Sequence, residues 1–459
     1  MTIYADSNTA PPGATTLSSL ARSYLVYSLC SVPPLVNNSP SILKTCSNIP
    51  GLRELSEAVV RRTFFAQFVG GDSLPDTLPL ITSLRQQNMG TLLVYSVEAD
   101  GDVKGAQWEK NVQEILSSVN FAGDFEDTQS GGRKTWVAVK LTALLPSPDS
   151  LKRLSTFLLA SRPKSNVPYP GTPDVTDVAF FSKGQGSLPV KGLSSEDITA
   201  LHELYQSLRQ ICAQAKKRGV RITVDAEHSW YQPGIDAFVT ALSREFNQPN
   251  AGASPRSKMD SQWFMGPIRH IFEGVLTTGK RLRIMKGEWL SPSHINVEPY
   301  PAVWLRKEET DRCFDEAAEL LIRHTASSLD PRRPQQPKLG MLFGTHNKQS
   351  CQKVLDCMVS SGLAHKNEEG LAEVKTGVED MVCFGQLYGM RDELTNWIAS
   401  VFKSESPMAF KYLPYGALAE VMPYLSRRAI ENQSVLSGEG GAAEERRRAG
   451  DLIRKRIMG

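Results

Sequence analysis

The sequence is poor in several features, and each absence removes a class of function. Seven cysteines (Cys30, Cys46, Cys212, Cys313, Cys351, Cys357 and Cys383) are scattered through 459 residues, odd in number and never spaced C-x-x-C. That pattern argues against a disulfide framework and a zinc site and fits a reducing compartment. No apolar run approaches the ~18 residues that a spanning helix needs. The nearest, "YLVYSLCSVPPLV", is interrupted by paired prolines and reads as a docking or interfacial segment at most. A net charge of +3 is too small to make nucleic acid the main partner, and no Lys/Arg run is interleaved with aromatics. The dinucleotide fingerprint, the P-loop and the G-x-S-x-G elbow are all missing. His346 has no second histidine or cysteine at ligand spacing, so no metal is expected.

What is there is alternation. Eight short apolar runs ("TLLVYSV", "WVAVKLTAL", "RITVDAE", "SQWFM", "RLRIMKG", "LGMLFGTHN", "MVCFGQL" and "KYLPYG") are separated by stretches with a 3.6-residue apolar period, such as "DITALHELYQSLRQICAQAKKRG". Alternating buried strands and helices predict a parallel sheet, and eight units favour a closed (β/α)8, TIM-like barrel of the α/β class. The reading divides the chain into a disordered stretch at 1–19, an N-terminal helical arm at 20–90, a barrel at 91–436 and a flexible, charged, solvated tail at 437–459. The arm should break at Pro33-Pro34 and Pro50-Gly51. Two Pro/Gly/Ser-rich insertions, 163–194 and 247–260, read as long loops.

A barrel gathers its functional residues at the carboxyl ends of its strands. The candidates are therefore Lys140, Asp225, Gln262, Arg283, Thr345, His346, Asn347, Gln386, Leu387 and Tyr412. Each has a plainer role available: Lys140 as a snorkelling side chain, Asp225 as a helix cap, His346 as a hydrogen-bonded core residue. Beyond the last strand, "PYLSRRAIENQ" brings Tyr424, Arg427, Arg428 and Glu431 onto one helical face. Spacing alone allows a solvated charged stripe or a two-arginine clamp for a carboxylate, braced by Glu431. The cationic set suits anionic ligands, such as a phosphate-bearing cofactor and a carboxylate substrate.

At these residues the chain resembles the proline dehydrogenases (proline oxidases) of the monofunctional eukaryotic, fungal-like type. "KYLPYG" followed by "EVMPYLSRRAIENQS" carries the resemblance most specifically. "WVAVKLTALLP", "ITVDAEHSWYQPGIDAF", "GTHN" and "FGQLYGM" follow the family's order, and "SYLVYSLCSVPPLV" and "RRTFFAQFVGGD" resemble its N-terminal arm. The resemblance implies a distorted (β/α)8 barrel that binds FAD, oxidises L-proline to Δ1-pyrroline-5-carboxylate and passes electrons to a membrane quinone. It implies a mitochondrial setting with peripheral association at the matrix side of the inner membrane, although no transit peptide is evident: Asp6 precedes the first arginine, Arg22.

The resemblance further implies that Arg427 and Arg428 pair with the proline carboxylate, and that Glu431 holds the arginines. Tyr412, Tyr424 and Leu387 would wall the ring, with Lys140 and Asp225 lining the pocket. Arg283, near flavin N5, joins Lys140 and Asp225 as a catalytic candidate. Gln262, Lys286, Gly287, Trp289, Thr345, His346, Asn347 and Gln386 would surround the cofactor. One region departs from the family pattern: "SQWFM" and "RLRIMKGEWL" stand where the family reads close to "TYQAYL" and "VRLVKGAYL", and Glu288 replaces a small residue near the expected pyrophosphate. Two rival readings remain at this level, a non-catalytic proline-binding relative with impaired FAD binding and a Schiff-base lyase or aldolase using Lys140.

Overall fold

The computed structural model describes residues 16–38, 45, 48–96, 107–161, 177, 192–228, 230–247, 264–265, 307–332, 339–434 and 442–458. Among the described residues the N-terminal part contains the helices α1 (Leu17–Cys30), α2 (Pro33–Asn37) and α3 (Leu52–Val60). The prolines punctuate them as expected, since Pro33 and Pro34 occupy the first turn of α2, where a missing N–H costs nothing. Helix α4 (Leu74–Gln86) then leads into strand β1 (Met89–Tyr95). Next come α5 (Gln107–Asp127), β2 (Thr135–Val139), α6 (Asp149–Ser161), α7 (Ser195–Arg218), β3 (Ile222–Val224), α8 (Gln232–Phe246) and β4 (Phe264–Met265). After α9 (Lys307–Ser328) and β5 (Met341–Gly344) follow α10 (Lys348–Ser360), β6 (Ala364–Lys366), β7 (Ala372–Val374) and β8 (Val382–Leu387). The chain finishes with α11 (Asp392–Val401), β9 (Phe402–Lys403), β10 (Ala409–Tyr415), α12 (Leu418–Ser434) and α13 (Ala442–Met458).

Seven of the eight anticipated strands form one parallel sheet in the order β4-β3-β2-β1-β10-β8-β5. The first and last of these strands are neighbours, paired from Met89 opposite Ala409 to Tyr95 opposite Tyr415. An open doubly wound sheet does not pair the first of its strands in sequence with the last; a (β/α)8 barrel does. The remaining run, "RLRIMKG", and the catalytic and cofactor candidates Gln262, Arg283, Lys286, Gly287 and Trp289 lie outside the described residues, as do Glu288 and nearly all of both insertions. A small second sheet, β6-β7-β9, sits between α10 and β10 in sequence and was not anticipated.

Strand alternation sorts side chains into two environments. Leu92, Val94, Trp136, Ala138, Cys383 and Phe410 form the barrel's inner cluster, with Leu342 and Tyr412 against it. Their neighbours in sequence face the helical layer: Leu93, Val137, Val139, Ile222, Val224 and Leu413 meet one group of helices, and Met341, Phe343, Val382 and Phe384 another. The amino end of the barrel is plugged. Trp136 packs 4.3 Å from Phe410, Arg221 lies over the Trp136 ring, and fully buried Lys134 reaches the Glu379 carbonyl at 2.6 Å and Asp380 at 3.0 Å. The carboxyl end is the one left for chemistry.

The charged tail corrects the expectation of a solvated segment. Helix α13 packs along α1 and buries Ala442, Glu445 and Ala449. Its charges meet the turn after β8: Arg448 pairs with Glu393 at 3.1 Å and Glu445 at 2.9 Å, and Glu444 with Arg391 at 3.0 Å. Helix α1 reaches the same turn, where Tyr27 donates to the Gly389 carbonyl at 2.6 Å and Gln67 to the same oxygen at 2.9 Å. A side chain at residue 389 would strike the Gln67 backbone, and its φ of +74° suits glycine alone.

Burial, followed by the nearby Glu393 charge, pushes the Glu445 carboxyl up from 4.5 to about 8, against the pull of Arg448. The folded chain therefore keeps a proton there that the unfolded chain gives up near pH 4.5, and stability falls as pH rises through that window. Glu445→Gln should remove this slope. Thermal melts at pH 5 and pH 8 should show the variant gaining on wild type toward pH 8; a constant difference would mean that Glu445 is not the titrating group.

Candidate active site at the barrel mouth

Lys140 continues the inward-facing series Trp136, Ala138 of β2, and Asp225 follows β3 by the same parity. Since Val139 is aligned with Val224, the two lie side by side at adjacent strand ends, where the Asp225 amide donates to the Val139 carbonyl at 3.0 Å. Tyr412, facing inward from β10, donates its hydroxyl to Asp225 Oδ2 across the mouth. Burial, then the Asp225 charge and hydrogen bond, drive the Tyr412 phenol well above its ordinary value, and Arg427 pulls modestly the other way. The phenol thus stays protonated and serves as a donor. Tyr424 also lies within electrostatic reach of it.

The arginine helix is not a solvated stripe. Tyr424 and Arg428 are 2% and 6% exposed, and the Arg428 guanidinium stacks over the Tyr424 ring at 4.7 Å. Arg428 pairs with Glu431 at 2.8 Å. The expected brace thus acts on Arg428, and Arg427 lies within electrostatic reach of Tyr412. Helix α12 is held by the N-terminal arm, because Tyr424, Leu425 and Val421 pack with Val26, Tyr27, Phe65 and Phe68, and Leu387 joins that cluster.

The remaining candidates group at the ends of β5 and β8. The Leu387 amide donates to His346 Nε2 at 3.1 Å, which makes Nε2 the acceptor. Gln386 is buried, donating to the Thr345 carbonyl at 3.1 Å and accepting from Thr395 at 3.0 Å. Asn347 caps α10 by accepting from the amides of Gln349 and Ser350, and its own amide donates to Thr345 Oγ1 at 3.1 Å. The structure thus forms two groups: Lys140, Asp225, Tyr412, Tyr424 and Arg427 around one opening, and Thr345, His346, Asn347, Gln386 and Leu387 at its β5–β8 side. Among the described residues no cluster of His, Cys, Asp and Glu could hold a metal, and no helix is long and apolar enough to cross a membrane.

Two polar groups escaped the sequence reading. Lys411 faces away from the barrel interior, 3% exposed, donating to the Met390 carbonyl at 2.9 Å and Asp392 at 2.7 Å, and so pinning the turn after β8. Burial alone would raise the Asp392 carboxyl; Lys411, with Arg448 and His346 beyond, holds it below its ordinary value. The second is Glu227, which accepts from the Thr142 amide at 3.1 Å and from the Thr142 hydroxyl. A lone lysine in the apolar run "AFKYLPY", and a second carboxylate two residues after Asp225, were the available signals.

A parallel barrel with cations, hydroxyls and a carboxylate converging at its carboxyl end is the architecture of a (β/α)8-barrel enzyme. The sequence profile of the proline dehydrogenase family matches residues 77–254 and 279–438, and the chain belongs to that family of oxidoreductases. It is 25% identical over 460 residues to hydroxyproline dehydrogenase of Rattus norvegicus, covering 96% of this chain and 91% of that protein. It is 25% identical over 476 residues to a probable mitochondrial proline dehydrogenase of Schizosaccharomyces pombe, covering 96% and 89%. In structure it resembles proline utilization A from Bdellovibrio bacteriovorus inactivated by N-propargylglycine, with a TM-score of 0.54 at 15% identity. That likeness covers 94% of this chain but only 40% of the larger protein, and it concerns the fold.

Removing the Lys411 ammonium leaves the Met390 and Leu387 carbonyls and the Asp392 carboxylate without their buried partner. Lys411→Met should cost about 2–3 kcal/mol in urea unfolding. The double variant with Asp392→Asn should cost less than the sum of the singles; strict additivity would show that the pair is not coupled.

Proposed function

We propose that the protein oxidises L-proline to Δ1-pyrroline-5-carboxylate, with FAD as the hydride acceptor and a membrane quinone as the final electron acceptor. The observation that carries this reading is the convergence of Arg427, Tyr412, Asp225 and Lys140 on one opening, from three separate strand ends and the helix after the last strand. A small amino acid needs a cation for its carboxylate, a wall for its ring and polar groups near its amine, and the opening offers each. The family match and relatives named as mitochondrial proline dehydrogenases support it. The same names support a mitochondrial setting, and the matrix face of the inner membrane suits a quinone-linked oxidation.

In this reading Arg427 and Arg428 grip the carboxylate, and Glu431 keeps Arg428 in place. A paired grip fixes distance and orientation together, which matters because hydride moves only between closely apposed atoms. Tyr412, held by Asp225, and Tyr424 and Leu387 wall the ring and keep water away. Lys140 and Asp225 face the substrate nitrogen, where Asp225 can hold the proton that the amine loses. The donors and cations of the mouth suit an anionic flavin nucleotide, with Thr345, His346, Asn347 and Gln386 on its β5–β8 side. The resemblance to the family adds Gln262, Arg283, Lys286, Gly287 and Trp289 to the proposed cofactor set and gives Arg283 a role in the hydride transfer. When bound, FAD supplies the two-electron acceptor that no side chain can provide.

A second substrate has its own support, since several relatives are named hydroxyproline dehydrogenases. Purified protein should show a flavin spectrum that proline bleaches. Arg427→Met and Arg428→Met should each lower kcat/KM for proline roughly thirty-fold or more while keeping the flavin, as expected when about 2–5 kcal/mol of a desolvated charge contact is lost. Faster bleaching by 4-hydroxyproline than by proline would reassign the substrate. A colourless protein that still binds proline would make it a non-catalytic binder, and borohydride trapping of a carbonyl on Lys140 would make it a lyase.

A further inference from the structure

The proposed chemistry leaves one carboxylate at the mouth without a role. Glu227 stands two residues past Asp225, within electrostatic reach of both Lys140 and Asp225. Its two oxygens are aimed by Thr142, one by the backbone amide at 3.1 Å and the other by the hydroxyl. Thr142 is itself only 7% exposed and lies two residues past Lys140. Behind Glu227, its amide donates to Gln232 Oε1 at 3.3 Å, and Gln232 in turn donates to Asp236 at 2.6 Å, with both of these side chains fully buried in α8. His228, next to Glu227 in sequence, stacks on Trp230 at 4.4 Å. The carboxylate is therefore anchored from the β3–α8 side and reaches across to the turn after β2.

An ordinary loop carboxylate would sit in water. Burial and the neighbouring Asp225 instead raise the Glu227 carboxyl, while Thr142 and Lys140 pull it down. Such a group is costly to keep unless its hydrogen bonds do something for the fold or the site. The bonds it makes hold the Lys140–Thr142 turn, and that turn carries the only lysine of the Lys140–Asp225–Tyr412 set.

We propose that Glu227 is a positioning residue for Lys140: it clamps the turn after β2 and presents a negative charge that keeps the lysine ammonium beside Asp225. This rests on the proline-oxidising reading for its consequence in catalysis, but the placement of Lys140 can be measured without substrate. Three full-length, flavin-loaded proteins serve: wild type, Glu227→Gln, which keeps an acceptor for the Thr142 amide but loses the charge, and Glu227→Ala, which loses both. Reductive methylation with formaldehyde and cyanoborohydride, followed by peptide mass spectrometry, gives the labelling rate of Lys140. In Glu227→Gln that rate should change several-fold, because a turn that has lost its charged anchor no longer holds the amine in the same surroundings.

With proline, kcat in Glu227→Gln should fall about tenfold or more, as a misplaced group does, and KM should change much less, since the arginine clamp is untouched. Glu227→Ala should lose more. Flavin content and Tm of Glu227→Gln should match wild type. An unmoved labelling rate overturns the proposal, whether or not the protein oxidises proline. An unmoved kcat in a protein that does oxidise proline also overturns it, as does a kcat loss that tracks falling Tm and flavin content. If Glu227→Gln does not fold, Thr142→Val removes one of the two donors aiming the carboxylate, and unchanged Lys140 labelling there is equally decisive against it.

Discussion

The pairing of β1 with β10 is the constraint on which the rest of the molecule depends. Strands more than three hundred residues apart meet over seven aligned positions, from Met89 with Ala409 to Tyr95 with Tyr415. This seam curls the sheet, so one face of every strand turns inward. It also sets Tyr412 opposite the ends of β2 and β3, where its hydroxyl meets Asp225. Without the seam, the lysine, the aspartate and the tyrosine would line different parts of an open sheet.

The two ends of the barrel are built from opposite materials. At the amino end Trp136 and Phe410 fill the interior, and Lys134 and Arg221 are neutralised by Asp380 and its neighbours. That end is closed by packing and paired charge. At the carboxyl end the same inward positions become Lys140, Asp225 and Tyr412, and buried polar groups replace apolar ones. Around this mouth the turn after β8 acts as a junction. Lys411 grips it from within the barrel wall, α13 meets it with Arg448 and Glu444, and α1 meets it through Tyr27. Arm and tail, far apart in sequence, thus hold the turn that presents Leu387 and Gln386.

Much of the barrel was legible because its signals are local. Apolar runs between amphipathic stretches require no tertiary information, and seven of the eight runs are strands of the sheet. The β6-β7-β9 sheet was missed because strands of two or three residues carry too little alternation to register. At the mouth, candidates were found by their place at strand ends; Asp225 and Tyr412 do meet, with Lys140 at the adjacent strand end. Lys411 and Glu227 were passed over because a charge in or just beyond an apolar strand looks like surface until its partner is known. Those partners, Asp392 and Thr142, come from other β/α units.

By itself the sequence determined the alternation of strand and helix, the breaks at paired prolines, the strand-end candidates and the common face of Tyr424, Arg427, Arg428 and Glu431. These follow from backbone periodicity and from chemistry within a few residues. Only the tertiary structure decided that Arg428 is buried on Tyr424 rather than solvated, that Arg427 comes within electrostatic reach of Tyr412, and that the charged tail docks on α1. The physical reason is desolvation. Whether a charge is a soluble surface group or a buried, paired one depends on what covers it, and that cover comes from distant segments of the chain.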